Sequence, residues 1–164
     1  MSEETDLQAR LAEIARIAVV LEAQTGCPAQ MMIAQWAVES GWGAKPVGRA
    51  NYFGIKENSR DPESCIVETE EVVNGKPVEE KLAFADYDSL PDSARDYAML
   101  ITEGAPYQAA WHNYLKTRDL TSLITAVSAK YATDQSYAKL VLEISGQANV
   151  MGAIKAAREV SVAT

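Results

Sequence analysis

Ala34-Gln35-Trp36-Ala37-Val38-Glu39-Ser40-Gly41-Trp42-Gly43 is the stretch that decides how this chain reads. Met32, Trp36 and Ile33, Ala37 make an apolar stripe at helical spacing, opened by Pro28 and running to about Ser40. Gly41 suits the left-handed position after the last turn. Glu39 therefore falls in that last turn, at the negative end of the helix dipole, where a charged carboxylate is disfavoured. Partial burial beside Trp36 or Trp42 pushes the same way, and both effects raise a carboxyl pKa toward the range of a general acid. On position alone Glu39 is a solvated helix-end glutamate; the Gly-Trp-Gly around it points to an acid at the lip of a cleft, the arrangement of a sugar-cleaving enzyme.

Outward from this segment the chain is mostly helical. Leu7, Leu11, Ile14, Ala18 and Leu21 predict a helix over 5–25 with Thr5 as cap and Gly26 as terminator. Residues 44–63 read as a loop. Two strand-like runs, 65–73 and 76–86, flank Asn74-Gly75, the pair best suited to a two-residue hairpin turn. Pairing Val73 with Lys76 puts position 71 on one face with Val67, Thr69, Val78 and Leu82. Apolar residues on both faces leave open which one meets a cleft.

Helices follow with caps at Ser89 or Asp88, Pro106, Asp119 and Asp134, and a last segment at 148–160. Leu90, Ala94, Tyr97, Ala98 and Ile101 face inward on the first of these. Tyr137, Leu140, Val141 and Ile144 do so on the one after Asp134. The expectation is an α+β fold, a helical lobe with a small β-hairpin lobe at 64–86 and a groove between them. One catalytic domain spans 1–164, with its core at 28–146.

Composition bounds the function. A net charge of −8 over 164 residues argues against a nucleic-acid partner. No apolar run is long enough to insert in a membrane. Cys27 and Cys65 match no metal or redox spacing; two buried thiols are expected, with a structural disulfide as the alternative in an exported protein, and His112 lacks partners for a triad or a zinc site. No metal and no cofactor are expected. The acidic start lacks the pattern of a signal peptide, so an excised domain or a phage-type export route is expected.

The motifs support a family. Ala34 to Gly43 resembles the signature of the bacterial endo-β-N-acetylglucosaminidases of glycoside hydrolase family 73, which includes flagellar-rod hydrolases and autolysins. Asn51-Tyr52-Phe53-Gly54-Ile55-Lys56, Phe84-Ala85-Asp86-Tyr87-Asp88-Ser89 and Tyr131-Ala132-Thr133-Asp134-Gln135-Ser136-Tyr137-Ala138 resemble its later motifs, in order. Gln135 stands where the family usually has proline.

The resemblance implies a lysozyme-like fold and hydrolysis of the β-1,4 bond after N-acetylglucosamine in peptidoglycan glycan strands. It implies Glu39 as the catalytic acid and Glu71 as the second acid, with Glu70 and Glu68 as neighbours easily confused with it. It implies a tyrosine of the late motif, Tyr131 first and Tyr137 in reserve. A monomer acting in the cell wall or periplasm is expected.

Trp42, Phe53 and Tyr137 offer faces on which a sugar could stack, and aromatics at such spacing also build cores, the structural role being favoured for Phe53 and the substrate role for Trp42. Asn51 suits an acetamido group or a turn. The competing functions are a lytic transglycosylase, a muramidase and a non-catalytic glycan-binding or assembly module.

Overall fold

A computed structural model describes residues 2–58 and 64–163, apart from the side chains of 64, 69–72 and 161–163. Seven α-helices and one two-stranded antiparallel sheet make up the regular structure of these residues. The helices are α1 Glu3–Thr25, α2 Ala29–Ser40, α3 Leu90–Glu103, α4 Gln108–Thr117, α5 Leu120–Tyr131, α6 Gln135–Ser145 and α7 Ala148–Ala163, with a 3₁₀ turn at Ala105–Tyr107. The strands are β1 Ser64–Val73 and β2 Lys76–Ala85.

α2 is the centre of the body, packed by α1, α3, α6 and α7. Its burial exceeds the predicted stripe. Met31, Met32, Ile33, Ala34, Gln35, Trp36 and Ala37 are all buried, as a helix surrounded on every side must be. Pro28 stands at its N-cap and supplies no side-chain cap; Glu22 of α1 does so instead, its Oε2 accepting from the Ala29 N–H at 3.1 Å. α1 starts earlier than expected. Ser2, not Thr5, is the cap, and Glu3, Glu4 and Asp6 fill the first turn, where negative charge is favoured. Leu140 of α6 is 45% exposed, contrary to expectation. It lies at the edge of the stripe formed by Tyr137, Val141 and Ile144.

The hairpin has the predicted register, with Val73 opposite Lys76 and Glu71 opposite Val78. Burial decides between its faces. Cys65, Val67, Leu82 and Phe84 are half-buried, whereas Ile66 is 71% exposed and Glu68 and Lys81 are open to solvent. Position 71 falls in register on the better-covered face; the Glu71 and Glu70 side chains lie outside the described residues, as does residue 63.

A lone hairpin is marginal in water, and this one is tied at its base to the 47–58 loop. Glu57 N–H donates to Ala83 O and Ala85 N–H to Ile55 O, each at 3.0 Å. Fully buried Asn51 locks the junction. Its amide donates to Ile55 O at 2.8 Å and Ala85 O at 2.9 Å, and its carbonyl accepts from the Phe53 and Ile55 N–H groups at 3.2 Å. Asn51→Ala is expected to destabilise the chain by about 2–4 kcal/mol, since several buried backbone groups lose partners at once. Chemical denaturation checks this; a loss under about 1 kcal/mol would show that the loop holds without it.

Candidate active site

The end of α2 is built to turn the chain away directly after Glu39. Ser40 Oγ donates to Trp36 O at 2.6 Å and accepts from the Gly43 N–H at 2.9 Å. Trp42 N–H closes on Ala37 O at 2.9 Å. Gly41, Trp42 and Gly43 then take φ values of 56°, 57° and 82°, a left-handed run in which only Trp42 carries a side chain. The Trp42 ring is half-buried and stands edge-on to Trp36 with centroids 6.2 Å apart. Its carbonyl accepts from Arg10 Nε of α1 at 2.9 Å.

Glu39 is half-buried, and two elements distant in sequence enclose its carboxyl. From α6, Tyr137 Oη donates to Glu39 Oε1 at 2.6 Å. From the loop, Gly54 lies so close that a Cβ added there would stand 2.6 Å from Glu39 Oε2. Gly54 has φ +64°, so the absence of a side chain serves both its conformation and the approach. Burial pushes the Glu39 pKa up, and the Tyr137 hydrogen bond pulls it part of the way back. Tyr137 is itself held protonated, first by burial and then by the facing carboxylate.

Behind this pair runs a polar chain in an apolar core. Gln35 Nε2 donates to Tyr137 Oη at 3.4 Å, and the buried Tyr97 hydroxyl donates to Gln35 Oε1. Tyr131 stacks on Tyr137 with centroids 6.1 Å apart and planes 7° from parallel. Its hydroxyl is buried without a hydrogen-bond partner and lies within electrostatic reach of Glu39.

The structure thus brings Glu39, Tyr137 and Tyr131 together. Two of the sequence-derived substrate contacts sit elsewhere. Asn51 is spent on the loop junction, with both its donors and its carbonyl engaged. Phe53 is fully buried and stacked on Tyr97, centroids 4.7 Å apart, so its ring face meets the core and not solvent. These two frame the site instead of lining it. Gly54, Gln35 and Tyr97 were not singled out from sequence; the signal for Gln35 was an amide inside an apolar run.

His112 is exposed, and Cys27 and Cys65 are unbonded. Among the described residues no group of three His, Cys, Asp or Glu side chains stands ready for a metal, and no helix is long and apolar enough to cross a membrane. Open depressions of about 640 Å³ along α7 and about 450 Å³ between α5 and α6 are lined by none of Glu39, Tyr131 or Tyr137.

A helical body, a hairpin lobe and a half-buried acid at the end of α2 define the class by fold, a lysozyme-like domain. Residues 15–150 match the glucosaminidase family, described as mannosyl-glycoprotein endo-β-N-acetylglucosaminidase, and the chain belongs to that family. It is 39% identical over 137 residues to an autolysin of Enterococcus faecalis, covering 77% of this chain and 18% of that protein. It is 34% identical over 139 residues to the peptidoglycan hydrolase FlgJ of Pseudomonas aeruginosa, covering 80% and 34%. The chain therefore spans about a third or less of the length of these relatives. The catalytic domain of the autolysin Auto from Listeria monocytogenes superposes with a TM-score of 0.74 at 26% identity, covering 93% of this chain and 90% of that one.

Proposed function

We propose that the chain hydrolyses the β-1,4 bond after N-acetylglucosamine in peptidoglycan glycan strands, acting in the cell wall or periplasm. The observation that carries the reading is the Glu39 carboxyl, half-buried, raised in pKa and held on one oxygen by Tyr137. Glycoside cleavage needs such an acid to protonate the leaving oxygen and a second group to manage the anomeric carbon or the attacking water. The relatives' names, autolysin and peptidoglycan hydrolase, support the substrate.

Glu71 is proposed as the second acid, supported by its register opposite Val78, on the face of the hairpin that carries the half-buried Val67 and Leu82. Tyr131 and Tyr137 complete the site against Glu39, and Trp42 offers a stacking face. Glu71→Gln is expected to lose roughly a hundredfold or more in rate while Glu70→Gln loses little, because the two alternate across the strand. Equal losses in a glycan-release assay would remove Glu71 from the role.

The deciding experiment is mass spectrometry of borohydride-reduced products from purified peptidoglycan, with Glu39→Gln as control. Reduced N-acetylglucosamine ends support the proposal. Anhydro ends would make the chain a lytic transglycosylase, and reduced muramic acid ends a muramidase. No cleavage by folded protein would favour a binding module.

A further inference from the structure

We infer that Gln35 and Tyr97 are positioning residues that fix which oxygen of Glu39 carries the catalytic proton. The inference rests on the reading of Glu39 as the acid. Tyr97 is fully buried, and its ring is pinned against Phe53. Its hydroxyl donates to Gln35 Oε1, which turns the amide nitrogen toward Tyr137. Tyr137 Oη accepts that hydrogen bond and donates its own to Glu39 Oε1. All three bonds point the same way, from α3 through α2 and α6 to the carboxyl, and a hydroxyl that accepts a hydrogen bond donates more strongly.

Oε1 therefore faces a hydrogen already aimed at it. A proton on Oε1 would oppose that hydrogen, so the acid proton sits on Oε2, the oxygen beside Gly54. The neighbours of Gln35 on α2 show that the core did not require an amide, since Met31, Met32, Ile33, Ala34, Trp36 and Ala37 are all buried and apolar. The polar chain joins residues 35, 97 and 137 to position 39 across most of the sequence. The Asn51–Lys56 loop braces both ends of it, Phe53 on Tyr97 and Gly54 on Glu39.

The same chain supports the charged form of Glu39 after proton transfer, because a carboxylate accepts from Tyr137 more strongly than a carboxylic acid does. Among the described residues, the titratable groups that act on Glu39 are Tyr137 of α6 and Tyr131 of α5, and Tyr107, Tyr97 and Tyr87 act electrostatically on one or both of these. Weakening the relay removes support from the carboxylate, so the Glu39 pKa moves further up.

The test is a pH titration of ¹³C-labelled glutamate carboxyls by NMR in the full chain. The Glu39 signal is assigned by its loss in Glu39→Gln. Gln35→Met keeps the volume without hydrogen bonds, and Tyr97→Phe, an isosteric change, stands in if the first variant folds poorly. Both are expected to raise the Glu39 pKa by about half a unit or more. Both should lower kcat by roughly ten- to a hundredfold with KM within about twofold, and move the alkaline limb of the pH profile up in step. The double variant should lose little more than either single one. An unmoved Glu39 titration in the folded variants, or losses that simply multiply, would overturn the inference. The carboxyl titration reads the relay whether or not glycan is cut, so failure of the hydrolase reading gives a different result.

Discussion

Glutamine at position 39 is expected to abolish most glycan cleavage, by roughly 10²–10⁴-fold in rate, without any loss of stability at neutral pH. The first half follows from the acid's task. Glutamine keeps the shape of the side chain and an oxygen to accept from Tyr137, but has no transferable proton. The second half follows from the direction of the pKa shift. Burial holds the folded-state pKa of Glu39 above its usual value of 4.5. The folded state thus binds the proton more tightly than the unfolded chain.

Below the unfolded pKa both states are protonated and the shift has no effect on stability. As pH rises through the unfolded and then the folded value, the native state is progressively disfavoured, and above the folded value that penalty is complete. An amide cannot ionise, so Glu39→Gln removes the penalty. The variant should melt at the same temperature as the wild type near pH 4 and at the same or a higher temperature at pH 7. A wild type more stable than the variant at pH 7 would mean that Glu39 is held as a supported carboxylate, the wrong state for a general acid. In the active protein the rate falls in the same direction, because the acid form is the one that works. Cleavage persists to higher pH than an ordinary glutamate allows, and is lost as pH rises through the Glu39 pKa.

Much of this architecture was legible because it rests on local chemistry. Asn74-Gly75 sets the hairpin register, since both residues adopt positive φ at 52° and 77°. Asp119 and Asp134 cap α5 and α6 where their side chains reach back to the first turn. Glu39 could be placed at a helix end because Gly41 terminates the helix.

What could not be read depends on contacts between segments far apart. The cap of α2 comes from Glu22, a residue of another helix. Asn51 and Phe53 had two chemically valid readings each, and only the arrival of Ala85 and Tyr97 against them settles where they point. Choosing between Tyr131 and Tyr137 as the neighbour of Glu39 needed the rotation of α6 against α2, which one-residue differences in helical phase decide. Gly54 was legible as a motif residue, but its contact with an acid 15 positions earlier was not.

That contact leads to the second large effect, at a residue with no functional group. Gly54→Ala is expected to lower cleavage by more than about a hundredfold. Two consequences of one methyl group have to be separated. The first is backbone strain, because alanine at φ +64° is disfavoured by about 1–2 kcal/mol. The second is collision. The new Cβ would lie 2.6 Å from Glu39 Oε2 and 3.1 Å from its Cδ, inside the distance at which carbon and oxygen can rest.

The side chain that must yield is the acid itself, and Tyr137 holds its other oxygen at 2.6 Å, so yielding means breaking that bond or swinging the carboxyl out of its enclosure. Either response misplaces the proton donor: swinging out lowers its pKa toward that of a solvated glutamate, and losing the Tyr137 bond while buried raises it. Gly75→Ala supplies the comparison for strain, since Gly75 has φ +77° and nothing within 4 Å of its missing Cβ. Similar melting temperatures for the two alanine variants, with the Glu39 titration moved in Gly54→Ala and unmoved in Gly75→Ala, would assign the lost activity to the displaced acid. Gly54→Ala retaining activity within about tenfold of wild type would show that the enclosure of Oε2 is not where the proton is transferred. The acid would then have to work from a conformation turned away from the loop.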